Sequence, residues 1–359
     1  MNYFGQERRG EDPMEELIKQ EQQIDRYIKQ GQKKLAIKSL YDLIITSAKA
    51  KKFALAESLR ERLIQIDNMA VSEIVHSAEI IEAAKAETID IQQRMLWKQL
   101  YDSLSLEESN AFFLSLKQAT VPPDCTIIRQ AMLNDKLFFI KKGRLNLIYS
   151  QGDEDIFVKQ INKGETVAQD TFFSISLCTY SVITVNSVQL VYLDHATLRK
   201  LEKQFPGFEN KLHEFCLHSE EKVVDILKKR DIERRRFKRF KVAGTISTQP
   251  LDKKGLAMES MFHGHLEDIC QGGVSYLIKC SQKASARSLL GRPVQVNLSL
   301  LKDGCHKKVK IKGLIVAVKF RCFNDYMAHI KFFEHLPEAR IRELSFSSKT
   351  AERLINSYL

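Results

Sequence analysis

The sequence predicts a multidomain α+β chain, with a helical N-terminal part followed by two regions of short strands. Three observations carry this. At 359 residues the chain exceeds what one hydrophobic core usually organises. From Met14 to about Ile91 it contains no proline, and its apolar residues recur at helical spacing. Beyond Pro122-Pro123 the pattern changes to short β-like runs punctuated by glycine.

In the helical part, Leu17, Ile24 and Ile28 share one face, followed by Leu40, Leu43 and Ile44 and then by Leu55, Leu59 and Leu63, a pattern of helical hairpins. The stretch 31–68, with Ala36, Phe53, Ala54, Ala56 and Leu59, weakly resembles tetratricopeptide-type helix pairs, with too few repeats for a full solenoid. A helical scaffold or dimerisation element is the simpler reading.

A further helix is expected from Ser105, because Ser105 and Glu108 have capping-box spacing ahead of Phe112, Phe113 and Leu116. The β-like runs of the middle part are 126–129, 137–141, 145–149, 156–161, 181–185 and 189–193, with Gly143, Gly152 and Gly164 between them, which suggests a small antiparallel barrel. Helical periodicity returns over 196–227, interrupted at Pro206-Gly207, and leads to a third part. The expected boundaries are 1–92 for the helices, 93–228 for the middle domain with its long C-terminal helix, and 229–359 for the last domain.

Charge is unevenly placed. Of a formal net charge of +11, the segment from Lys228 to Lys241 contributes +7, with nine basic residues against Asp231 and Glu233. Such a run suits a solvated helix face, a nucleic-acid patch or a phosphate site. The seven cysteines, at 125, 178, 216, 270, 280, 305 and 322, are odd in number and form no close CxxC pair, which argues for reduced thiols and against a disulfide framework or a zinc site. Residues 1–13 are polar, and apolar runs such as 314–318 are too short to cross a bilayer. A cytoplasmic location without membrane insertion is expected.

In the middle part, Phe139-Ile140-Lys141-Lys142-Gly143 precedes a strand and Ile161-Asn162-Lys163-Gly164-Glu165 follows the next. This order resembles the cyclic nucleotide-binding fold of the catabolite-activator type over about residues 95–228. That family carries a Phe-Gly-Glu triplet, whose Glu holds the ribose, and an Arg about nine residues later that pairs with the cyclic phosphate. Here the matching positions read Val167-Ala168-Gln169 and Cys178. Ala168 adds a Cβ where backbone should approach phosphate, Gln169 lacks the acceptor charge, and Cys178 offers no guanidinium. The expectation is a degenerate domain with a structural or protein-interaction role.

The last part holds Glu233-Arg234-Arg235-Arg236-Phe237-Lys238-Arg239-Phe240, with RxxxR spacing at Arg235 and Arg239, and then Asp268-Ile269-Cys270-Gln271-Gly272-Gly273-Val274. Strand-like runs follow or flank these at 241–246, 274–279, 294–300, 309–318 and 327–332, ahead of a helix at 337–346. Two motifs in this order resemble the PilZ family over about residues 229–350. The resemblance implies a six-stranded antiparallel β-barrel and a cyclic di-GMP receptor of bacterial second-messenger signalling. Residue by residue, it implies that Arg234, Arg235 and Arg239 contact phosphate and guanine, and that Asp268, Cys270, Gly272 and Gly273 line the barrel side of the site. Arginine suits such a ligand because its fork pairs with phosphate and with guanine O6 and N7, and an Asp accepts from guanine N1 and N2. Three positions depart from the family. Cys270 replaces a Ser, His329 stands where a Gly is usual, and the only tryptophan, Trp97, lies in another domain.

No P-loop, GxSxG or HExxH motif is present. His263-Gly264-His265 and Cys305-His306 sit where turns are expected, without metal-ligand spacing. The chain is therefore read as a non-enzymatic effector without a cofactor, whose ligand is cyclic di-GMP and whose partner is a protein the sequence does not name. A homodimer is left open. The alternatives are a basic nucleic-acid-binding transcriptional regulator, disfavoured because strands and not a helix-turn-helix follow Lys228, and a degenerate PilZ scaffold that binds no nucleotide.

Overall fold

The computed structural model describes residues 13–218, 223–230, 232, 236–280, 283–302, 305–322 and 325–344. The chain divides into two compact units, Met1–Ser115 and Leu116–Leu359.

The first unit is helical, with α1 Pro13–Lys29, α2 Lys33–Lys49, α3 Phe53–Ile66, α4 Val71–Ala86, α5 Ile91–Leu96, α6 Lys98–Ser103 and α7 Leu106–Ser115. Its core is built around the α2–α3 hairpin, where Leu40, Ile44, Leu59 and Leu63 are buried as their spacing predicts. Ala36 and Ala56 are fully buried, so these small side chains let the helices approach closely. Ile24 joins this core, but Ile28 is 38% exposed and does not. The capping box at the start of α7 forms: the Ser105 amide donates to Glu108 Oε2 at 2.7 Å and the Glu108 amide to Ser105 Oγ at 3.1 Å.

The second unit opens with β1 Lys117–Val121, β2 Thr126–Ile128, β3 Lys136–Lys142, β4 Leu145–Gln151, β5 Glu154–Ile161, β6 Thr166–Val167, the short helix α8 Gln169–Phe172, β7 Ile175–Ser176, β8 Ser181–Thr184 and β9 Val188–Asp194. Two four-stranded sheets, ordered β1-β9-β3-β6 and β2-β8-β4-β5, pack around Ile140, Leu147, Val158, Val182 and Leu190. β1 is a strand that the apolar pattern does not announce. Its sequence is largely polar, and it is held by antiparallel pairing with β9 from Lys117↔Tyr192 to Val121↔Val188. The helices α9 His195–Gln204, α10 Phe208–His218 and α11 Val223–Lys229 follow. Asp194 caps α9, accepting from the Thr197 amide at 2.8 Å.

The rest of the unit comprises β10 Phe240–Lys241, β11 Gly244–Pro250, β12 Phe262–Cys270, β13 Gly273–Lys279, α12 Lys283–Ser288, β14 Pro293–Lys302, β15 Cys305–Cys322, β16 Asp325–Phe332 and α13 Glu338–Leu344. The strands pair in the circuit β12-β11-β14-β15-β16-β13 and back to β12, which closes a six-stranded antiparallel barrel. The expected run 241–246 is divided, because Val242 turns into the barrel core between β10 and β11. His263, Gly264 and His265 do not form a turn. They lie within β12, paired to β11 through Ser247↔His263 and Thr245↔His265. Cys305 and His306 likewise begin β15, opposite Lys302 and Leu301. In both cases cross-strand pairing extends the strand into polar sequence that carries no apolar alternation of its own.

Candidate ligand site

Two places in the second unit carry residues singled out by sequence, the loop after β6 and the face where the basic run meets β12.

After β6, Ala168 is buried with a left-handed backbone, φ +76°, a conformation that favours glycine. Its carbonyl accepts from the amides of Thr171 and Phe172, which starts α8. The Ala168 methyl sits in the apolar cluster of the sandwich, to which Cys178 and Tyr180 also belong. Cys178 is 4% exposed, and burial pushes its thiol up to about 11, so it carries no charge at neutral pH. Asp170 is held by Tyr180, whose hydroxyl donates to it at 2.8 Å. The ring of Phe172 stacks on His195, whose Nε2 lies 2.7 Å from the Phe172 carbonyl. Arg129 and Arg144, two other basic groups of this part of the chain, are both exposed.

The outer end of the sandwich is closed from within the chain. Leu227 on α11 is 1% exposed and belongs to the same apolar cluster, with Val223, Ile226 and Ile232 packed against it. Arg230 donates from Nη1 to the Phe157 carbonyl at 2.7 Å and from Nη2 to the Val158 carbonyl at 2.8 Å. One fork thus binds two successive carbonyls of β5, the terminal strand of its sheet. In the sequence Arg230 stands out only as part of the basic run. No pattern marks a side chain that will pair with backbone carbonyls.

At the other end of the basic run, β10 pairs with β12 through Phe240↔Ile269 and Lys241↔Asp268. Arg239 Nη1 lies 3.0 Å from Asp268 Oδ1, with side chains 34% and 20% exposed, and Lys241 pairs with Glu267. A β-bulge explains why two adjacent acids face outward together. Pairing of β12 with β13 shifts between Leu266↔Tyr276 and Asp268↔Ser275, so Glu267 is the extra residue. Leu266 and Ile269 both remain in the core, and the acids between them reach the outer face.

Phe237, within the basic run, reaches the β12–β13 turn of the barrel. Its ring meets His335 edge-on at 4.8 Å, and Arg236 sits 5.6 Å from its centroid. A Cβ on Gly272 would come 3.0 Å from this ring, and a Cβ on Gly273 would collide with the Ile330 carbonyl on β16. Both glycines therefore have a reason within the chain, close approach of Phe237 in one case and of a neighbouring strand in the other. Cys270 is buried at the end of β12, paired with Gly273. Of the seven residues singled out for the ligand, the fold gathers Arg239, Asp268, Cys270, Gly272 and Gly273 around the β12–β13 turn. Arg234 and Arg235 lie outside the described residues.

The two four-stranded sheets, the short helix after β6 and α9 correspond to a recognised module. Residues 118–205 match the cyclic nucleotide-binding domain family. Similar solved structures include a cyclic nucleotide-binding domain from Methylobacillus flagellatus, 16% identical, covering 38% of this chain and 78% of that one with a TM-score of 0.31. The Thermus thermophilus catabolite activator protein is 17% identical, covering 37% of this chain and 60% of that one, TM-score 0.31. A Xanthomonas campestris global regulator described as responsive to c-di-GMP is 15% identical, covering 35% and 63%, TM-score 0.31. No curated protein matches the chain.

The cyclic nucleotide-binding domain points to second-messenger sensing and regulation. Among the described residues no helix is long and apolar enough to cross a membrane. No group of three or more His, Cys, Asp and Glu among them could hold a metal ion.

Proposed function

We propose that the protein is a cyclic di-GMP effector whose C-terminal barrel is a PilZ-like domain. Ligand binding at the basic run and the β12–β13 turn rearranges that run between the two β modules and so regulates a protein partner. The observation that supports this most directly is the Arg239–Asp268 pair, 3.0 Å apart and partly open to solvent. An arginine for phosphate and guanine acceptors and a carboxylate for guanine donors stand together on one face, as this ligand requires. Positive charge is concentrated in the same segment, which suits two phosphates. On this reading Arg234 and Arg235 complete the phosphate contacts, and Cys270 holds the turn in place of a hydroxyl.

Within this reading the cyclic nucleotide-binding domain acts as a partner module. Its interior is occupied by Ala168, Cys178 and Leu227. A cyclic phosphate there would meet a methyl group and a neutral thiol instead of a guanidinium.

Titration of a labelled cyclic di-GMP with wild-type protein, Arg235→Ala and Arg239→Ala tests the site. Each substitution removes a charge-assisted hydrogen bond of about 1.5–3 kcal/mol, so affinity falls by about tenfold to hundredfold. Unchanged affinity in both variants rejects this site.

A further inference from the structure

The loop after β6 does not stay within its own module. β7 pairs antiparallel with β15, through Ile175↔Val318 and Ser176↔Ala317. The Leu177 amide donates to the Val316 carbonyl at 2.9 Å. Ile175 is 5% exposed and belongs to the apolar core of the C-terminal barrel, in one cluster with Val242, Ile246, Ile315 and Val318. The same loop begins at buried Ala168 and ends at Cys178, whose amide donates to the Met132 carbonyl and whose carbonyl accepts from the Ala131 amide. One short segment is thus anchored in the sandwich at both ends and in the barrel at its middle.

The strand fills a defined gap. β15 pairs with β14 from Cys305 to Leu314 and with β16 from Gly313 onward, so the edge that β14 leaves would be bare beyond Leu314. Residues 291–292 cover Ile315, and β7 with Leu177 covers 316–318. A bare strand edge with a buried position left empty is unfavourable in itself. A further contact lies nearby: Lys283 on α12 pairs with Glu209 on α10 at 2.7 Å.

We propose that Ile175–Leu177 is a strand donated by the cyclic nucleotide-binding domain to the barrel, and that it couples the two modules into one cooperative unit. A module that lacks part of its own core opens together with its donor, so a change in one alters the opening of the other. The amide of Leu177 is committed to β15, so the loop serves as a connecting strap and not as a cradle for a free anion. The regulatory use of this strap rests on the cyclic di-GMP reading above. The structural coupling does not.

Hydrogen exchange on the full-length chain separates the two. Without ligand, Ile175→Ser raises exchange at least about tenfold both in 168–178 and in 313–332, and leaves α2 and α3 unchanged. Ile175→Val does the same to a smaller degree, and gives the answer if the serine variant does not fold. Faster exchange in 168–178 with an unchanged barrel overturns the proposal. With cyclic di-GMP added, wild-type protein gains protection in 168–178 as well as around Asp268, and Ile175→Ser gains it only around Asp268. Protection confined to Asp268 in wild-type protein overturns the regulatory use of the strap. No protection anywhere counts against the ligand assignment, and the ligand-free arm then decides the coupling by itself.

Discussion

Arg239 and Asp268 are 29 residues apart in sequence and joined by a 3.0 Å hydrogen-bonded ion pair, which lays the end of the basic run along β12. The bulge at Glu267 makes the pair accessible, by turning Asp268 out of the core. Being partly exposed, the pair adds only about 0–1 kcal/mol to stability. Asp268→Ala should therefore leave the melting temperature nearly unchanged, while cyclic di-GMP binding weakens by about tenfold or more, because guanine donors lose their acceptor. If the variant treats cyclic di-GMP and cyclic di-AMP as the wild type does, guanine is read elsewhere.

The basic run is anchored at both described ends, by Leu227 and Arg230 on the sandwich and by Arg239 on the barrel. Leu227→Ala should cost about 2–5 kcal/mol in thermal unfolding of the second unit, the range for truncating a fully buried leucine. Arg230→Ala should cost less, but should raise hydrogen exchange in 223–232 by freeing the run from β5. A normal exchange rate there would show that the Arg230 fork is dispensable.

Cyclic AMP and cyclic GMP at millimolar concentration should not raise the melting temperature. A ligand a hundredfold above its dissociation constant stabilises by about 2.7 kcal/mol, so an intact site would be plain in the melting curve. A clear shift would mean that a cation other than the one missing at Cys178 pairs with the phosphate.

Acid should weaken the second unit in two separate steps. Burial holds His195 below its ordinary value of 6.5, and it faces the Phe172 carbonyl, Arg287, Asp135 and Arg199. The unfolded chain binds this proton more readily than the folded one, so stability falls as pH drops below about 6.5 towards the folded value. Asp194 acts in a lower window. The hydrogen bond from Lys117, then the Thr197 amide, holds its carboxyl well below the usual carboxylate range, so its contribution is present above 3.8 and lost as pH falls further. Urea unfolding between pH 7 and 5 should show the first step in wild-type protein and a flatter profile in His195→Gln. An equal slope in both would assign the step to another group.

Much of this architecture is legible in sequence wherever a segment carries its own pattern. Leu40, Leu59 and Leu63 announce a helical core by spacing, and Ser105 with Glu108 announces a helix start, because the forces involved act within a few residues. What escapes is whatever depends on a distant partner. β1 is polar and exists through β9, β12 runs through His263-Gly264-His265 because β11 lies beside it, and β7 is two residues long and exists through β15. The candidate site divides in the same way. Asp268 and Arg239 could be named from motif order, but the bulge that turns Asp268 outward and the Arg230 fork on β5 are set by cross-strand register.

The most direct test is calorimetric titration of the full-length protein with cyclic di-GMP, with cyclic AMP and cyclic GMP alongside, at fixed physiological salt because screening alone changes such a basic segment. Saturable binding of cyclic di-GMP is expected, falling about tenfold to hundredfold in Arg239→Ala, with no heat of binding from the other two. Binding of cyclic AMP or cyclic GMP, with none of cyclic di-GMP at millimolar concentration, would contradict it.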